Sequence, residues 1–312
     1  MSDQPPILVL TGTTASGKNS VGVRVAQQLD GEIVSLDSMK VYRGMDIGTD
    51  KPSPEHRRGA PHHLVDILDP PESMNLRIFV DLAKKAVDEI RARGRQPLVG
   101  GGTALYLNGY LRGVFEGPEA DPEFRRALRA EAALRGIGVL HERLREVDVQ
   151  SAERIHQNDY KRIERALEVW ESTGRPISDL QGQWERGPSV SHRLFVLTWE
   201  RPVLDARIEQ RVDAMMQGDF LDEVRGILDR GGFGRESSQA LGYKEAVAHL
   251  AGEISEAEAV DLIKRRTRQF ARRQLTWFRK WDQASWIQGE EGDSAEALAA
   301  RICEDFKSSL SA

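Results

Sequence analysis

A glycine-rich loop near the start of the chain has the residue types and spacing that bind phosphate. Gly12 and Gly17 stand five residues apart and Lys18 follows the second, as in the phosphate-loop pattern. The apolar run Ile7 to Leu10 precedes the loop, and a helical pattern of apolar residues follows it. Converging backbone N–H groups, a helix N-terminus and the lysine would together hold a diphosphate or triphosphate. The alternative, a glycine-rich turn without a ligand, is disfavoured by this order of strand, loop and helix.

The last position of the loop departs from the pattern. A Ser or Thr hydroxyl normally stands there to hold magnesium, and this chain has Asn19. Because an amide oxygen also ligates magnesium, Asn19 is the candidate metal ligand and Mg²⁺ is the expected cofactor. The residues expected to bind the diphosphate are Gly12, Thr13, Thr14, Ala15, Ser16, Gly17, Lys18 and Asn19.

Polar side chains follow two further predicted strands. Glu32 to Leu36 runs into Asp37, and Pro97 to Gly100 leads through a glycine pair to Thr103. The carboxyl ends of parallel strands face the ligand crevice. We therefore expect Asp37 and Thr103 to lie beside the phosphate loop.

Strands alternate with helices through the first third of the chain. A third predicted strand, His63 to Leu68, ends in turn residues, and Asn75 opens a helix that ends at Gly94. Helices of this length between strands predict a parallel sheet with right-handed crossovers. The expected fold class is α/β, a P-loop NTPase-like parallel sheet flanked by helices, with a helical C-terminal region.

A helical insertion interrupts this alternation. From Asp121-Pro122 the chain is helical and highly charged, and strand character returns only at Leu194 to Trp199. We expect an all-helical domain over residues 116–193. It would be inserted into an α/β core formed by residues 1–115 and 194–312.

Basic residues concentrate on two predicted helices. In the insertion, three of them lie off the apolar face of one helix, either as a nucleic-acid contact or as a solvated surface: Lys161, Arg162 and Arg165. Near the C-terminus, a capping box at Ser255 and Glu258 opens a helix that extends to about Trp281. Eight basic and no acidic residues lie between Lys264 and Lys280, in a chain of net charge −5. This concentration indicates a nucleic-acid surface, since a solvated helix face normally mixes both signs.

The composition limits the class of protein. Hydrophobic residues make up 39% and charged residues 30% of the 312 residues, as in soluble globular proteins. No run approaches the roughly 20 apolar residues of a membrane helix, and Met1 to Pro6 lacks the basic segment of a secretory leader. The single cysteine, Cys303, excludes an internal disulfide, and the seven histidines have no metal-site spacing. We expect a cytoplasmic protein without membrane contact.

Together the motifs resemble one family, the tRNA dimethylallyltransferases, also called tRNA isopentenyltransferases. The phosphate loop alone identifies only a superfamily, but the matching segments run in the family's order across nearly the whole chain. These segments are Gly12 to Lys18, Asp37 to Thr49 with Lys51-Pro52, Gly101 to Tyr106, Asn158 to Glu168, Arg207 to Arg211, Gly242 to Lys244 and Arg272 to Arg279.

The resemblance implies an activity and a set of residue roles. Family members transfer a dimethylallyl group from dimethylallyl diphosphate to N6 of the adenosine just 3′ of the anticodon in tRNA, and release diphosphate with magnesium. By resemblance, Asp37 is the base beside the adenine amine. Lys18, Thr103 and Arg211 stabilise the departing diphosphate. The expected partners are the tRNA anticodon stem-loop and dimethylallyl diphosphate, bound by a monomer.

Further positions match family segments that touch tRNA. They are Asp37, Ser38, Met39, Lys40, Thr103, Arg125, Lys161, Arg162, Ile163, Glu164, Arg165, Gln239, Ala240, Leu241, Gly242, Tyr243, Lys244, Arg272, Arg273, Gln274, Leu275, Thr276, Trp277, Phe278 and Arg279. The chain departs from the family at Asn19, Lys40 and Gly100, where Ser or Thr, Gln and Val are usual. The first departure bears on the metal site and the second on RNA recognition.

Three other functions fit parts of the sequence. A small-molecule kinase would use the same phosphate loop, but it has no need of a long basic helix. A related isopentenyltransferase acting on free AMP or ADP would keep the loop, Asp37 and Thr103, but it has little use for the arginines of the last helix. A non-catalytic RNA-binding protein would need only the basic surfaces. The acceptor that becomes prenylated distinguishes these functions.

Overall fold

Two compact units make up the chain. The computed structural model describes residues 5–115, 117–182 and 188–310. Met1–Leu111 and Val190–Ala312 form one unit, here called the α/β unit, and Arg112–Ser189 form the other, called the helical unit. The boundaries expected from the sequence, after residues 115 and 193, lie four residues beyond these. The expected first residue of the insertion, 116, lies outside the described residues.

The first part of the α/β unit alternates strands and helices. Its elements are β1 (Ile7–Gly12), α1 (Lys18–Gln28), β2 (Gly31–Ser35), α2 (Pro54–Gly59), β3 (His62–His63), α3 (Leu76–Ala92), β4 (Gln96–Gly101) and α4 (Ala104–Arg112). The strands predicted ahead of Asp37 and Thr103 are confirmed as β2 and β4. The helix predicted after Asn75 is confirmed as α3, and the Asn75 side chain caps it by accepting a hydrogen bond from Ile78 N at 2.9 Å.

The third predicted strand, His63 to Leu68, is wrong. β3 has only two residues, because Leu64 and Asp66 adopt left-handed backbone conformations with φ of 61° and 58°. The Asp66 carboxylate holds this bend, since it lies 2.6 Å from Lys51 Nζ and 2.7 Å from Arg57 Nη1. An apolar run alone does not reveal a turn that is fixed by distant cations.

The helical unit is built from short helices. They are α5 (Pro122–Arg135), α6 (Ile137–Val147), α7 (Val149–Arg154), α8 (Tyr160–Thr173) and α9 (Ile177–Leu180). Leu128, Leu140, Leu144, Ile163 and Leu167 form the centre of its own hydrophobic core. Every regular element among its described residues is a helix, as the sequence predicts.

The rest of the α/β unit is mostly helical. Its elements are β5 (His192–Trp199), α10 (Arg201–Gln217), α11 (Phe220–Asp229), α12 (Tyr243–Leu250), α13 (Glu256–Phe278), β6 (Ser285–Gly289) and α14 (Ala295–Leu310). The predicted capping box opens α13, which ends three residues before the expected Trp281. β6 was not predicted, because its short segment carries a weak alternation beside a much stronger helical signal.

One parallel sheet positions the functional loops. In the described part of the chain it has six strands, in the order β3-β2-β4-β1-β5-β6. β1 pairs with β4 on one side and with β5 on the other, and β2 pairs with β4. The loops after β1, β2 and β4 therefore leave the same edge of the sheet, which confirms the predicted fold class. No helix in the described ranges combines the length and apolar character needed to cross a membrane.

Candidate active site

The loop between β1 and α1 depends on its glycines. Gly17 has a φ of 85°, a left-handed conformation that residues with side chains rarely adopt. At Gly12, β5 approaches so closely that an added Cβ would lie 2.5 Å from Leu197 O. Lys18 Nζ donates to Thr13 O at 3.1 Å, so the lysine folds over the loop. The segment therefore has the path of a phosphate-binding loop.

Two residues to which the sequence analysis gave no role hold this loop from outside, although Arg207 opens one of the segments that match the family. Trp199 Nε1 donates to Ser16 O at 2.8 Å, and Arg207 Nε donates to Ala15 O at 2.8 Å. The Arg207 guanidinium lies 4.4 Å from the centre of the Trp199 ring, so each side chain orders the other. The signal that could have located Trp199 is its place at the end of a strand, next to the strand that carries the loop.

Two residues expected at the site close the other side of the loop. Arg211 donates to Thr14 Oγ1 and to Gly48 O, each at 3.1 Å. Gln274 accepts from Thr14 N at 2.8 Å and donates to Gly102 O at 2.7 Å. α10 and α13 therefore tie the phosphate loop to the segments that follow β2 and β4.

Asp37 and Thr103 meet at the ends of β2 and β4. Asp37 Oδ1 accepts hydrogen bonds from Met39 N at 2.9 Å and from Lys40 N at 3.4 Å, which fixes the carboxylate. Thr103 Oγ1 accepts one from Ser38 N at 3.1 Å. Within the described residues Asp37 Oδ2 has no hydrogen-bond donor, so this oxygen remains available to accept a proton.

One cavity of about 330 Å³ brings the predicted catalytic residues together. Its charged and polar lining includes Lys18, Asp37, Thr103 and Arg211. Its apolar lining comes from α10, α13 and the segment before α12, through Val212, Met215, Leu241, Ile263 and Phe270. A cavity lined by both cations and apolar side chains fits an organic diphosphate.

Both lysines of this cavity have lowered pKa values. Burial, the largest cause, and repulsion by Lys40 lower the pKa of Lys18 to about 8, against the attraction of Asp37 and Asp50. Burial also lowers the pKa of Lys40, a residue that is 5% exposed. An anionic ligand would favour the charged form of both amines, so the site is electrostatically suited to a diphosphate.

Asn19 and Asp50 are the residues that fit a magnesium ion. Asn19 Nδ2 donates to Asp50 O at 2.9 Å and to Asp50 Oδ2 at 2.7 Å, so an amide and a carboxylate stand together at the cavity wall. Magnesium is commonly held by one or two carboxylates together with waters and substrate phosphates, and this small set of oxygen ligands suits that pattern. In the described ranges no three His, Cys, Asp or Glu side chains form a metal-binding group.

Some predicted RNA contacts have no exposed surface. Ile163, Tyr243 and Phe278 are 0% exposed, and direct contact with RNA is wrong for them in this conformation. They fill cores instead, as Tyr243 shows by packing 5.1 Å from the ring of Phe220. The predicted contacts that are exposed are Lys161, Arg162, Gln239, Lys244, Arg272, Arg273, Thr276 and Arg279.

Two further predicted contacts are paired inside the helical unit. Arg125 Nε and Nη2 each donate to the Glu168 carboxylate at 2.7 Å, and Arg165 Nη1 donates to it at 2.5 Å. Burial alone would raise the pKa of Glu168, but the hydrogen bonds from the two arginines outweigh it and lower that pKa. These arginines organise the unit, which leaves Lys161 and Arg162 as the exposed cations among its predicted contacts.

Known proteins are similar to this chain in sequence over most of its length. The family model for IPP transferase matches residues 40–281. A tRNA dimethylallyltransferase from Pelotomaculum thermopropionicum is 44% identical over 95% of each chain, and one from Symbiobacterium thermophilum is 50% identical over 90% of this chain and 89% of its own.

Solved structures of similar proteins match this fold. The tRNA isopentenylpyrophosphate transferase from Bacillus halodurans has a TM-score of 0.73 at 39% identity, covering 99% of this chain and 97% of its own. A eukaryotic dimethylallyltransferase acting on tRNA has a TM-score of 0.83 at 25% identity, covering 98% of this chain and 80% of its own. These matches confirm the resemblance inferred from the motifs, and the chain belongs to the IPP transferase family.

Proposed function

We propose that the chain transfers a dimethylallyl group from dimethylallyl diphosphate to N6 of the adenosine just 3′ of the anticodon in tRNA. The observation that carries this proposal is that Lys18, Asp37, Thr103 and Arg211 line one cavity together with apolar side chains of α10 and α13. The relatives named tRNA dimethylallyltransferase, and the solved neighbour that acts on tRNA, support this acceptor and this reaction.

Asp37 acts on the nucleophile. The lone pair of an exocyclic adenine amine is delocalised into the ring, so a base beside the amine assists attack. The bond from N6 to C1 of the dimethylallyl group forms as the C1–O bond breaks, and diphosphate leaves with the electron pair of that bond. The N6 proton passes to Asp37, whose Oδ1 is held by Met39 N and Lys40 N.

The phosphate loop and its neighbours act on the leaving group. Lys18 and Arg211 face the growing negative charge, which a preorganised site stabilises most strongly in the transition state. The Thr103 hydroxyl lies 3.3 Å from Ser38 Oγ and can turn its proton towards the diphosphate instead. A bound magnesium ion, held by Asn19 and Asp50, would neutralise a further part of that charge.

The exposed basic residues bind the RNA. We expect phosphates of the stem-loop to bind exposed cations of both units, Arg272, Arg273 and Arg279 on α13 and Lys161 and Arg162 on α8. A base in such a loop is splayed out more easily than a paired one, so it can enter the cavity. A monomer acting in the cytoplasm stays our prediction.

Acceptor choice tests this function. The protein is incubated with radiolabelled dimethylallyl diphosphate and either an anticodon stem-loop or AMP, with a stem-loop carrying inosine at the target position as the control that lacks the amine. We expect label in the adenosine stem-loop alone. Label in AMP instead would indicate an adenylate isopentenyltransferase, and label in neither acceptor would overturn the proposal.

A further inference from the structure

The three positions at which the chain departs from its family meet in space. Asn19, Lys40 and Gly100 all line a small, partly open cavity of about 30 Å³, together with residues of α1, β1, β2 and β4 and with Pro52 and His62. Lys18, Asn19, Asp37 and Lys40 line both this space and the active-site cavity. The departures therefore form one local arrangement that extends the active site inward.

Lys40 is a second lysine in the lining of the active-site cavity. The residue is 5% exposed, although it was predicted to meet RNA. Lys51, another buried lysine of this unit, is ion-paired with Asp46 and Asp66. Lys40 has no ion pair of this kind among the residues that the structure describes. Asp37 and Asp50 line the same cavity, but neither makes an ion pair with Lys40 among the described residues. A buried ammonium without a direct ion pair is costly, and an anionic ligand beside it relieves that cost.

Because Gly100 has no side chain, it leaves open the small cavity that Lys40 helps to line. An added Cβ at this position would have Leu10 O, at 3.3 Å, as its nearest neighbour, so the backbone tolerates a small side chain. A valine, the usual family residue here, would extend into the space of about 30 Å³ that Lys40 helps to line. A volume of that size holds about one water molecule, so two more methyl groups would fill it.

We propose that Lys40, admitted by Gly100, binds the diphosphate beside Lys18 as a second ammonium, so that this chain needs less help from a divalent cation. The inference rests on the proposed diphosphate site. It accounts for two of the departures together: Asn19 replaces a hydroxyl ligand of magnesium, and Lys40 supplies positive charge from the protein itself.

Binding of inorganic pyrophosphate, measured by calorimetry in EDTA and again in saturating Mg²⁺, tests this inference without any transfer reaction. Lys40→Gln should weaken binding in EDTA by about tenfold, which corresponds to 1.4 kcal/mol. The loss should be smaller in Mg²⁺, where the metal takes over part of the charge. The control is Lys84→Gln, a change of the same kind at an exposed lysine of α3. An effect no larger than that of the control, or an equal loss in both media, would overturn the inference.

Gly100→Val tests the steric half. The added side chain should displace Lys40, so in EDTA the variant should lose about as much pyrophosphate affinity as Lys40→Gln. In the Lys40→Gln background the same valine should cost little further. Additive losses, or an unchanged affinity in Gly100→Val that melts like the wild type, would contradict the assignment. Should Gly100→Val fail to fold, the comparison of Lys40→Gln with Lys84→Gln still decides.

The tests of the inference and of the proposed function fail in different ways. If the wild type labels the stem-loop but Lys40→Gln binds pyrophosphate as tightly as the wild type, only the inference is contradicted. A wild-type protein that binds pyrophosphate through Lys40 but labels no acceptor contradicts only the proposed transfer to tRNA.

Discussion

Two groups of cations in this chain are held in opposite ways. In the helical unit, Arg125 and Arg165 both donate to the buried carboxylate of Glu168. At the active-site cavity, Lys18 and Lys40 face each other without a carboxylate ion pair among the described residues, and the pKa of Lys18 is lowered to about 8, first by burial. The arginines of the first group have their counter-charge within the protein. The lysines of the second group have no direct ion pair, so an anionic ligand can supply one.

This difference distinguishes buried cations that stabilise the fold from buried cations that can bind a ligand. A buried cation with its own carboxylate contributes to the fold, and removing its partner is expensive. A buried cation without its own carboxylate lowers the stability of the ligand-free protein. Binding of an anion beside that cation restores the stability. Substitutions in the two groups should therefore affect different measurements.

The largest expected effect is on catalysis at the active-site cavity. Asp37→Asn keeps the shape of the side chain but cannot accept the proton of the adenine amine. A positioned base contributes about 10²–10⁴ in rate, so single-turnover transfer at saturating tRNA should fall by that order. The affinity for tRNA should change much less.

Thr103→Ala is the control for the other half of the same reaction. It should slow transfer through the leaving group, and in the Thr103→Ala background Asp37→Asn should still reduce the rate by a similar factor. Near-normal transfer by Asp37→Asn would show that Asp37 positions RNA or metal and does not act as the base.

The next effect is on stability in the helical unit. Glu168→Gln leaves Arg125 and Arg165 without their carboxylate, and breaking such a buried pair costs about 3–5 kcal/mol. Urea denaturation of the full chain, followed by circular dichroism, should show the helical unit unfolding at lower urea. Glu171→Gln on the same helix is the matched control, because its side chain is 56% exposed and its loss should cost less than about 1 kcal/mol. Equal midpoints for the two variants would contradict the architectural role of Glu168.

The sequence predicted that the phosphate loop, Asp37 and Thr103 would lie close together because these residues belong to local patterns. The phosphate loop, Asp37 and Thr103 each follow a strand whose apolar run is readable, and parallel strands bring such ends together. Arg211 and Gln274 were found only through the family motifs. Their contacts with Thr14 span 197 and 260 positions, which no local pattern reports.

What the sequence could not show is which charges are already paired. Arg125, Arg165 and Arg162 look alike in a helical pattern, yet the first two are used by Glu168 and the third is exposed. The contacts of Trp199 and Arg207 with the phosphate loop were missed for the same reason, since they depend on how β5 and α10 pack. Side-chain pairing is a property of the packed structure, so the helical periodicity carries no signal for it.

A smaller effect should separate two arginines of α13. Arg268 Nη1 lies 2.8 Å from Glu209 Oε1, whereas Arg272 is exposed and has no ion pair in the described ranges. Each phosphate contact that is lost should reduce the log–log salt slope of RNA binding by about 0.7–0.9. Arg272→Ala should show that change, and Arg268→Ala should show less of it, because its charge is already partly compensated. Stem-loop binding over a series of KCl concentrations measures both slopes, and equal changes would show that the ion pair is irrelevant to RNA binding.

The smallest effect is a shift in pH dependence at Lys18. A diphosphate binds the ammonium form, and the pKa of Lys18 in the free protein is lowered to about 8, first by burial and then by repulsion from Lys40. The contribution of Lys18 to the affinity for dimethylallyl diphosphate should therefore be nearly constant well below pH 8 and fall as the pH rises through that value. Lys40→Gln removes the repulsion while Asp37 and Asp50 still attract the ammonium, so the pKa of Lys18 should rise and the fall should begin at a higher pH.

The comparison between variants isolates this shift from other ionisations. The same ligand is titrated from pH 7 to about 10 against the wild type, Lys40→Gln and the exposed control Lys84→Gln, so that any proton released by the ligand itself contributes equally to all three profiles. Lys84→Gln should retain the wild-type profile. If Lys40→Gln retains it as well, the two amines do not interact through the cavity. The lowered pKa of Lys18 would then arise from burial and from Arg211, and Lys18 and Lys40 would be independent groups that line the same cavity.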